Sequence, residues 1–180
     1  GSLSEFFATS LVVEAAQYLL PPWRCVVHSA QPRLQDDPYI QHLIASNKSG
    51  RAVFSLSPIP YRQIDALLGS ASVGLALYSS QVGQNTSAVG LASGKRSHFL
   101  KLGIPVIVSP LPGLADFVRR HGVGEVLEAA QQLPDLIERI ESDEEGYRRR
   151  ALACFDEYLA YERAFKTVLA ITYPLAERAA

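Results

Sequence analysis

Apolar positions along the chain follow two rhythms. Short and mostly apolar runs occur at Cys25 to Val27, Ala52 to Leu56, Val73 to Leu77, Ile104 to Val108 and Gly124 to Leu127. Runs of this length, bounded by turn residues, predict strands, and Ile104 to Val108 reads as one buried on both faces, the kind found in parallel sheets. Between them the apolar residues recur at helical spacing. Ser4 to Leu20 reads as a helix with a stripe of Leu11, Val12, Ala15, Ala16, Leu19 and Leu20, ended by Pro21-Pro22. Asp36-Asp37-Pro38 caps a second helix through about Ala45, and Asn47 to Gly50 is a turn. Pro60 opens a helix to about Leu68. Further helices are expected over residues 94–102, 113–121 and 133–140, and a bent or broken one from Glu144 to about Ile171. Strands that alternate with helices imply right-handed crossovers and a parallel sheet. The odd feature is the start: the first element is a helix where such a sheet opens with a strand.

The segment from Ser93 to Gly113 concentrates the candidate chemistry. Ser93 suits an N-cap, and Gly94 and Lys95 open a helix beside the Ser-, Gly-, Gln- and Asn-rich stretch Ser79 to Ser93. Unpaired N–H groups and a positive charge then face outward together, as at anion sites on the loop edge of α/β sheets. The alternative is a solvated lysine. Gly103 suits the left-handed position after the helix, and Pro105 stops it. A nucleotide-hydrolysing phosphate loop does not fit. Only three residues separate Gly90 from Gly94 where four are needed, and Arg96 stands where a Ser or Thr would ligate magnesium. His98 lies one turn into the same helix and either faces the loop or packs as an ordinary surface residue. His28 follows a strand directly and so sits on the same sheet edge. His28, His42 and His121 show no metal-ligand spacing, and no metal or cofactor is expected. There is no nucleophile elbow and no carboxylate pair, so the sequence names no catalytic residue. Glu141, Asp143, Glu144 and Glu145 read as a solvated helix start, and Arg148-Arg149-Arg150 as a solvated helix face.

Composition narrows the classes. With 180 residues, 48% apolar and 19% charged, the chain suits one soluble domain over residues 1–180, with a helical segment at 151–180. A net charge of −1 gives no footprint for nucleic acid. No apolar run approaches the roughly 20 residues of a membrane span. Cys25 and Cys154 form no short motif, which points to a reducing, cytoplasmic setting. The chain has no methionine, so Gly1-Ser2 reads as a cloning scar, or the chain as a piece of something longer.

The order of elements, together with ASVGLALY, SGKRSHFLKLGIPVIVSPLPGLADFV and HGVGEVLE, resembles the C-terminal Rossmann-like domain of GT-B glycosyltransferases, specifically the retaining glycogen-synthase-like group. The resemblance covers nearly the whole chain and implies one half of a two-domain enzyme whose first strand lies just before Gly1. It implies that this half holds a nucleotide diphosphate sugar, and that an N-terminal domain of the same protein holds the acceptor. It places the base near His28, Ser57 and Ile59, and the diphosphate and sugar near Ser87, Gly90, Leu91, Ala92, Ser93, Gly94 and Lys95. The family usually clamps the diphosphate with an Arg and a Lys after its first glycine turn; the matching positions are Ser2 and Phe7. It also tends to carry two glutamates eight positions apart, one near the sugar and one on the ribose. Gly90 and His98 stand there, and a neutral imidazole accepts one hydrogen bond where a carboxylate accepts two hydroxyls. Lys95 matches a lysine in one branch of the family. Two other readings remain open: a degenerate GT-B half kept for assembly or regulation, and a nucleotide-sugar epimerase of GT-B shape. A flavodoxin-like receiver fits poorly, because no acidic cluster follows a first strand.

Overall fold

A computed structural model describes residues 3–32, 36–79, 93–163, 165–166 and 168–170. Five short strands alternate with helices in the predicted order: α1 (Thr9–Ala16), β1 (Cys25–His28), α2 (Pro38–Ser46), β2 (Ala52–Ser55), α3 (Ile64–Leu68) and β3 (Gly74–Ala76). There follow α4 (Gly94–Lys101), β4 (Val106–Val108), α5 (Pro112–His121), β5 (Gly124–Val126), α6 (Leu133–Ser142) and α7 (Glu144–Cys154). All pairing is parallel, as the buried runs predict. The strands form two sheets, however: β1–β2, and β3–β4–β5. No ladder joins β1 to β3 among the described residues.

Two apolar layers flank the strands. On one side α1, α2 and α6 bury Val13, Ile40, Leu43, Leu136 and Ile140 against Cys25 and Val27 of β1, Ala52 of β2 and Ile107 of β4. This layer spans both sheets. On the other side α4, α5 and α7 bury Leu100, Leu114, Val118 and Ala151 against Ala76, Val106 and Val108. Among the described residues no such layer covers the outer faces of β1 and β2, and Val26 is 63% exposed.

The first helix departs from its expectation. Residues 5–7 form a 3-10 turn, Ala8 takes a left-handed backbone (φ 47°), and α1 runs only from Thr9 to Ala16. The Thr9 side chain makes the break: its Oγ1 accepts the Ser4 N–H at 3.2 Å and donates to the Ser4 carbonyl at 3.1 Å. Leu20, counted in the apolar stripe, is 69% exposed. The predicted bend in the last helix is real. The α-helix ends at Cys154, residues 155–159 form a π-turn, and residues 161–163 are helical again.

Two glycines seat the helix that carries the candidate site. Gly74 in β3 lies directly under the Phe99 ring of α4, where a Cβ would collide with the ring. At the other end Gly103, at φ 72°, closes α4 with paired bonds: Gly103 N–H to the Leu100 carbonyl (3.0 Å) and Ile104 N–H to the Phe99 carbonyl (2.9 Å). Both fix α4 on β3 and β4, with its N-terminus at the sheet's C-terminal edge.

Candidate functional site

The start of α4 is built as the sequence predicts. Ser93 is 1% exposed, and its Oγ accepts the Arg96 N–H at 3.2 Å. That cap satisfies one orphan amide of the first turn and leaves those of Gly94 and Lys95 at the open end of the helix. Gly94 is exposed, and a Cβ there would meet open space.

Lys95 is half-buried. Its ammonium lies 4.1 Å from the centre of the Phe7 ring and 5.1 Å from that of Tyr78. Among the described residues no carboxylate pairs with it. Burial pushes its pKa down to about 8. A cation held on ring faces keeps its charge available, because the ring quadrupole attracts an ammonium without neutralising it. Phe7 is the residue that stands, by resemblance, where the family has a lysine. Lys95 reaches across from α4 and rests its ammonium on that ring.

Arg96 behaves differently. Its side chain is 1% exposed, with the guanidinium 4.2 Å from the Phe117 ring centre of α5, and burial lowers its pKa. It is a cation buried inside the domain.

His98 is half-buried on the outer side of α4, and its Nε2 meets Tyr61 Oη at 3.5 Å. Below it Lys101 pairs with Asp65 of α3 at 2.6 Å. These contacts bring the segment after β2 alongside α4. Ser57 is exposed and Ile59 half-buried in that segment. His28 ends β1, with Nδ1 2.9 Å from Ser55 Oγ, and burial lowers its pKa. His28, Ser57, Ile59, Ser93, Gly94, Lys95 and His98 therefore all belong to the C-terminal edge of the strands or to α4 beside it. Ser2, Ser87, Gly90, Leu91 and Ala92 lie outside the described residues.

Sequence reasoning missed Tyr78. It stands just past β3, 5% exposed, with its hydroxyl 2.7 Å from Ser93 Oγ. The signal was an aromatic residue closing a strand at the ligand edge, inside the motif ASVGLALY. A recess of about 460 Å3 lies elsewhere, at the outer edge of β5. Its charged groups answer one another: Tyr147 Oη donates to Glu125 at 2.5 Å, Arg139 meets Glu125 at 3.5 Å, and Arg119 meets Glu128 at 3.0 Å. It braces the sheet edge. The arginine run is likewise partly structural, since Arg150 Nε donates to the Gly122 carbonyl at 2.6 Å and pairs with Asp143.

Residues 66–170 match the family described as the glucosyltransferase 3-like C-terminal domain. The chain belongs to this family. No curated protein matches its sequence. Among solved structures it is similar to WaaG, a glycosyltransferase involved in lipopolysaccharide biosynthesis, with a TM-score of 0.64 at 16% identity. That likeness covers 96% of this chain and 45% of WaaG, so the chain spans less than half the length of that enzyme. It is also similar to the C-terminal domain of LpcC, a group 1 family glycosyl transferase from Francisella tularensis. There the TM-score is 0.59 at 16% identity, over 87% of this chain and 80% of that one. The glucosyltransferase 3-like domain thus has the fold of a GT-B C-terminal domain. No helix among its described residues is long and apolar enough to cross a membrane.

Proposed function

We propose that this chain is the donor-binding half of a glycosyltransferase that moves a hexosyl group from a nucleotide diphosphate sugar to an acceptor hydroxyl. The observation that carries the reading is the open start of α4 at the C-terminal edge of a parallel sheet, where Ser93 caps only the Arg96 amide and the Lys95 ammonium rests on the Phe7 ring. In that reading the diphosphate lies across the α4 start, and the base and ribose lie toward His28, Ser57, Ile59 and His98. The acceptor is held by an N-terminal domain of the same protein, which works in the cytoplasm. No metal or cofactor enters this reading: Lys95 and the helix amides stabilise the leaving diphosphate. The chain alone binds donor without turning it over, because the acceptor side of the cleft belongs to the other half.

Calorimetric titration with UDP, GDP and ADP, and with their glucose conjugates, tests the reading. One base is expected to bind, and Lys95→Ala should weaken it roughly tenfold or more. Silence across all three bases refutes donor binding. A second reading, a GT-B half kept for assembly, is favoured by Phe7 and His98 standing where the resemblance expects a lysine and a glutamate. Absence of both sugar transfer and nucleotide hydrolysis by the two-domain protein would select it. An epimerized sugar product from a UDP-sugar would select the epimerase alternative.

A further inference from the structure

Tyr78 is where the parts of this site meet. Its backbone is tied at both ends to one hydroxyl of the neighbouring strand: Tyr78 N–H donates to Ser109 Oγ at 2.7 Å, and Ser109 Oγ donates to the Tyr78 carbonyl at 2.9 Å. Its phenol contacts Ser93 Oγ at 2.7 Å, and that same oxygen caps the Arg96 amide. Its ring lies against Phe6 and Phe7, with centroids 6.1 and 6.0 Å away, and over it sits the Lys95 ammonium. The next residue, Ser79, donates its N–H to the Phe6 carbonyl at 3.0 Å, which holds the 3-10 turn in place.

We infer that Tyr78 and Phe7 form a positioning clamp for Lys95. The phenol fixes where α4 begins, and the two ring faces fix where the ammonium waits, so that amides and cation are presented to one anion as a preassembled pair. A carboxylate in the same place would compete with the incoming anion for the lysine. An aromatic face holds an ammonium less strongly than a phosphate does, so the lysine can pass to the phosphate. Holding the long side chain near its bound position lowers the entropy lost on binding. The clamp rests on the proposal that the α4 start receives the diphosphate, and its test separates the two.

Inorganic pyrophosphate is the probe, titrated calorimetrically into the protein and into three variants, with the Lys95 ε-methylene protons followed by NMR. In the wild type these protons are expected upfield, shifted by the Phe7 ring current, and to move downfield as pyrophosphate draws the ammonium away. Phe7→Leu should reduce the upfield shift to the smaller part due to Tyr78 and weaken pyrophosphate binding about fivefold. Tyr78→Phe should keep the ring-current shift yet weaken binding about threefold, because only the bond to Ser93 is lost. Lys95→Ala should weaken it most. Binding unchanged in Phe7→Leu and Tyr78→Phe but lost in Lys95→Ala overturns the clamp and leaves the donor reading standing. An upfield shift that Phe7→Leu leaves undiminished overturns it as well. Pyrophosphate binding that is absent, or indifferent to Lys95→Ala, overturns the donor reading and the clamp with it. Phe7 is half-buried, so Phe7→Leu keeps the test open if Tyr78→Phe folds poorly.

Discussion

Lys95 pays for its position in the native state. An unfolded lysine titrates near 10.5, whereas burial holds Lys95 at about 8. Between those values the unfolded chain binds more protons than the folded one, so this group makes stability rise with pH from about 8 to 10.5. Below about pH 8 its charge is a net liability. Lys95→Met should therefore stabilise the protein at pH 7, on the order of 1 kcal/mol after the lost ring contacts are counted, and the gain should vanish near pH 10.5. Urea titrations of both proteins at the two pH values measure it. The difference between them must be used, because Cys25 and Cys154, pushed up to about 11 by burial, lower stability as pH passes 9. Gly124 offers a sharper test. A Cβ there would run into the backbone of Val106 on β4, so Gly124→Ala should cost several kcal/mol, on the order of a large core defect, or prevent folding. The local signals, Ser93 as cap and Gly103 as terminator, were legible because their partners lie within a turn of chain. Tyr78 and Arg96 were not, because Ser109 and Phe117 reach them only once β4 and α5 are in place.

At the level of elements, periodicity predicted each strand and helix in order, and apart from the break in the first helix the differences fell at the ends. The last four strands came out one or two residues short, and β1 one residue longer through His28; the flanking apolar residues Val73, Leu77 and Ile104 lie outside the paired registers. The first helix was read as one piece because a hydroxyl capture by Thr9 leaves no mark in a hydrophobic pattern. Thr9→Val keeps the volume and removes both bonds to Ser4, and should cost about 1–2 kcal/mol. Asp37 was legible as a cap, and its carboxylate does accept the Tyr39 amide at 2.9 Å. Asp37→Ala should destabilise α2 by about 1 kcal/mol, read as a lower urea midpoint with an unchanged slope. The candidate site was legible only in part, as positions along α4 and at strand ends. Which side chains face one another is settled by packing.

Across the whole molecule, the split between β1–β2 and β3–β4–β5 leaves the two sheets joined through one apolar layer. Ile40 and Leu43 of α2, both 0% exposed, belong to that layer beside Ile107 of β4. Ile40→Ala should cost about 2–5 kcal/mol. Hydrogen exchange should then show β1–β2 losing protection ahead of β3–β5, because the second layer, built on α4, α5 and α7, is untouched. The parallel fold was legible in the sequence, whereas the division of the sheet was not, since strand order depends on contacts between distant segments. Beside that second layer runs a column of groups in ring contact. Arg96 lies on Phe117, Phe117 meets His121 with ring centres 4.5 Å apart, and His121 meets the exposed Tyr158 at 4.6 Å. The column runs from the helix that carries Lys95 to the surface, on the opposite side of the strands from the single tryptophan, Trp23. Tyr158→Trp in a Trp23→Phe background therefore turns the domain into its own optical sensor: a fluorophore at the end of the column, quenched by His121, whose emission reports when α4 shifts.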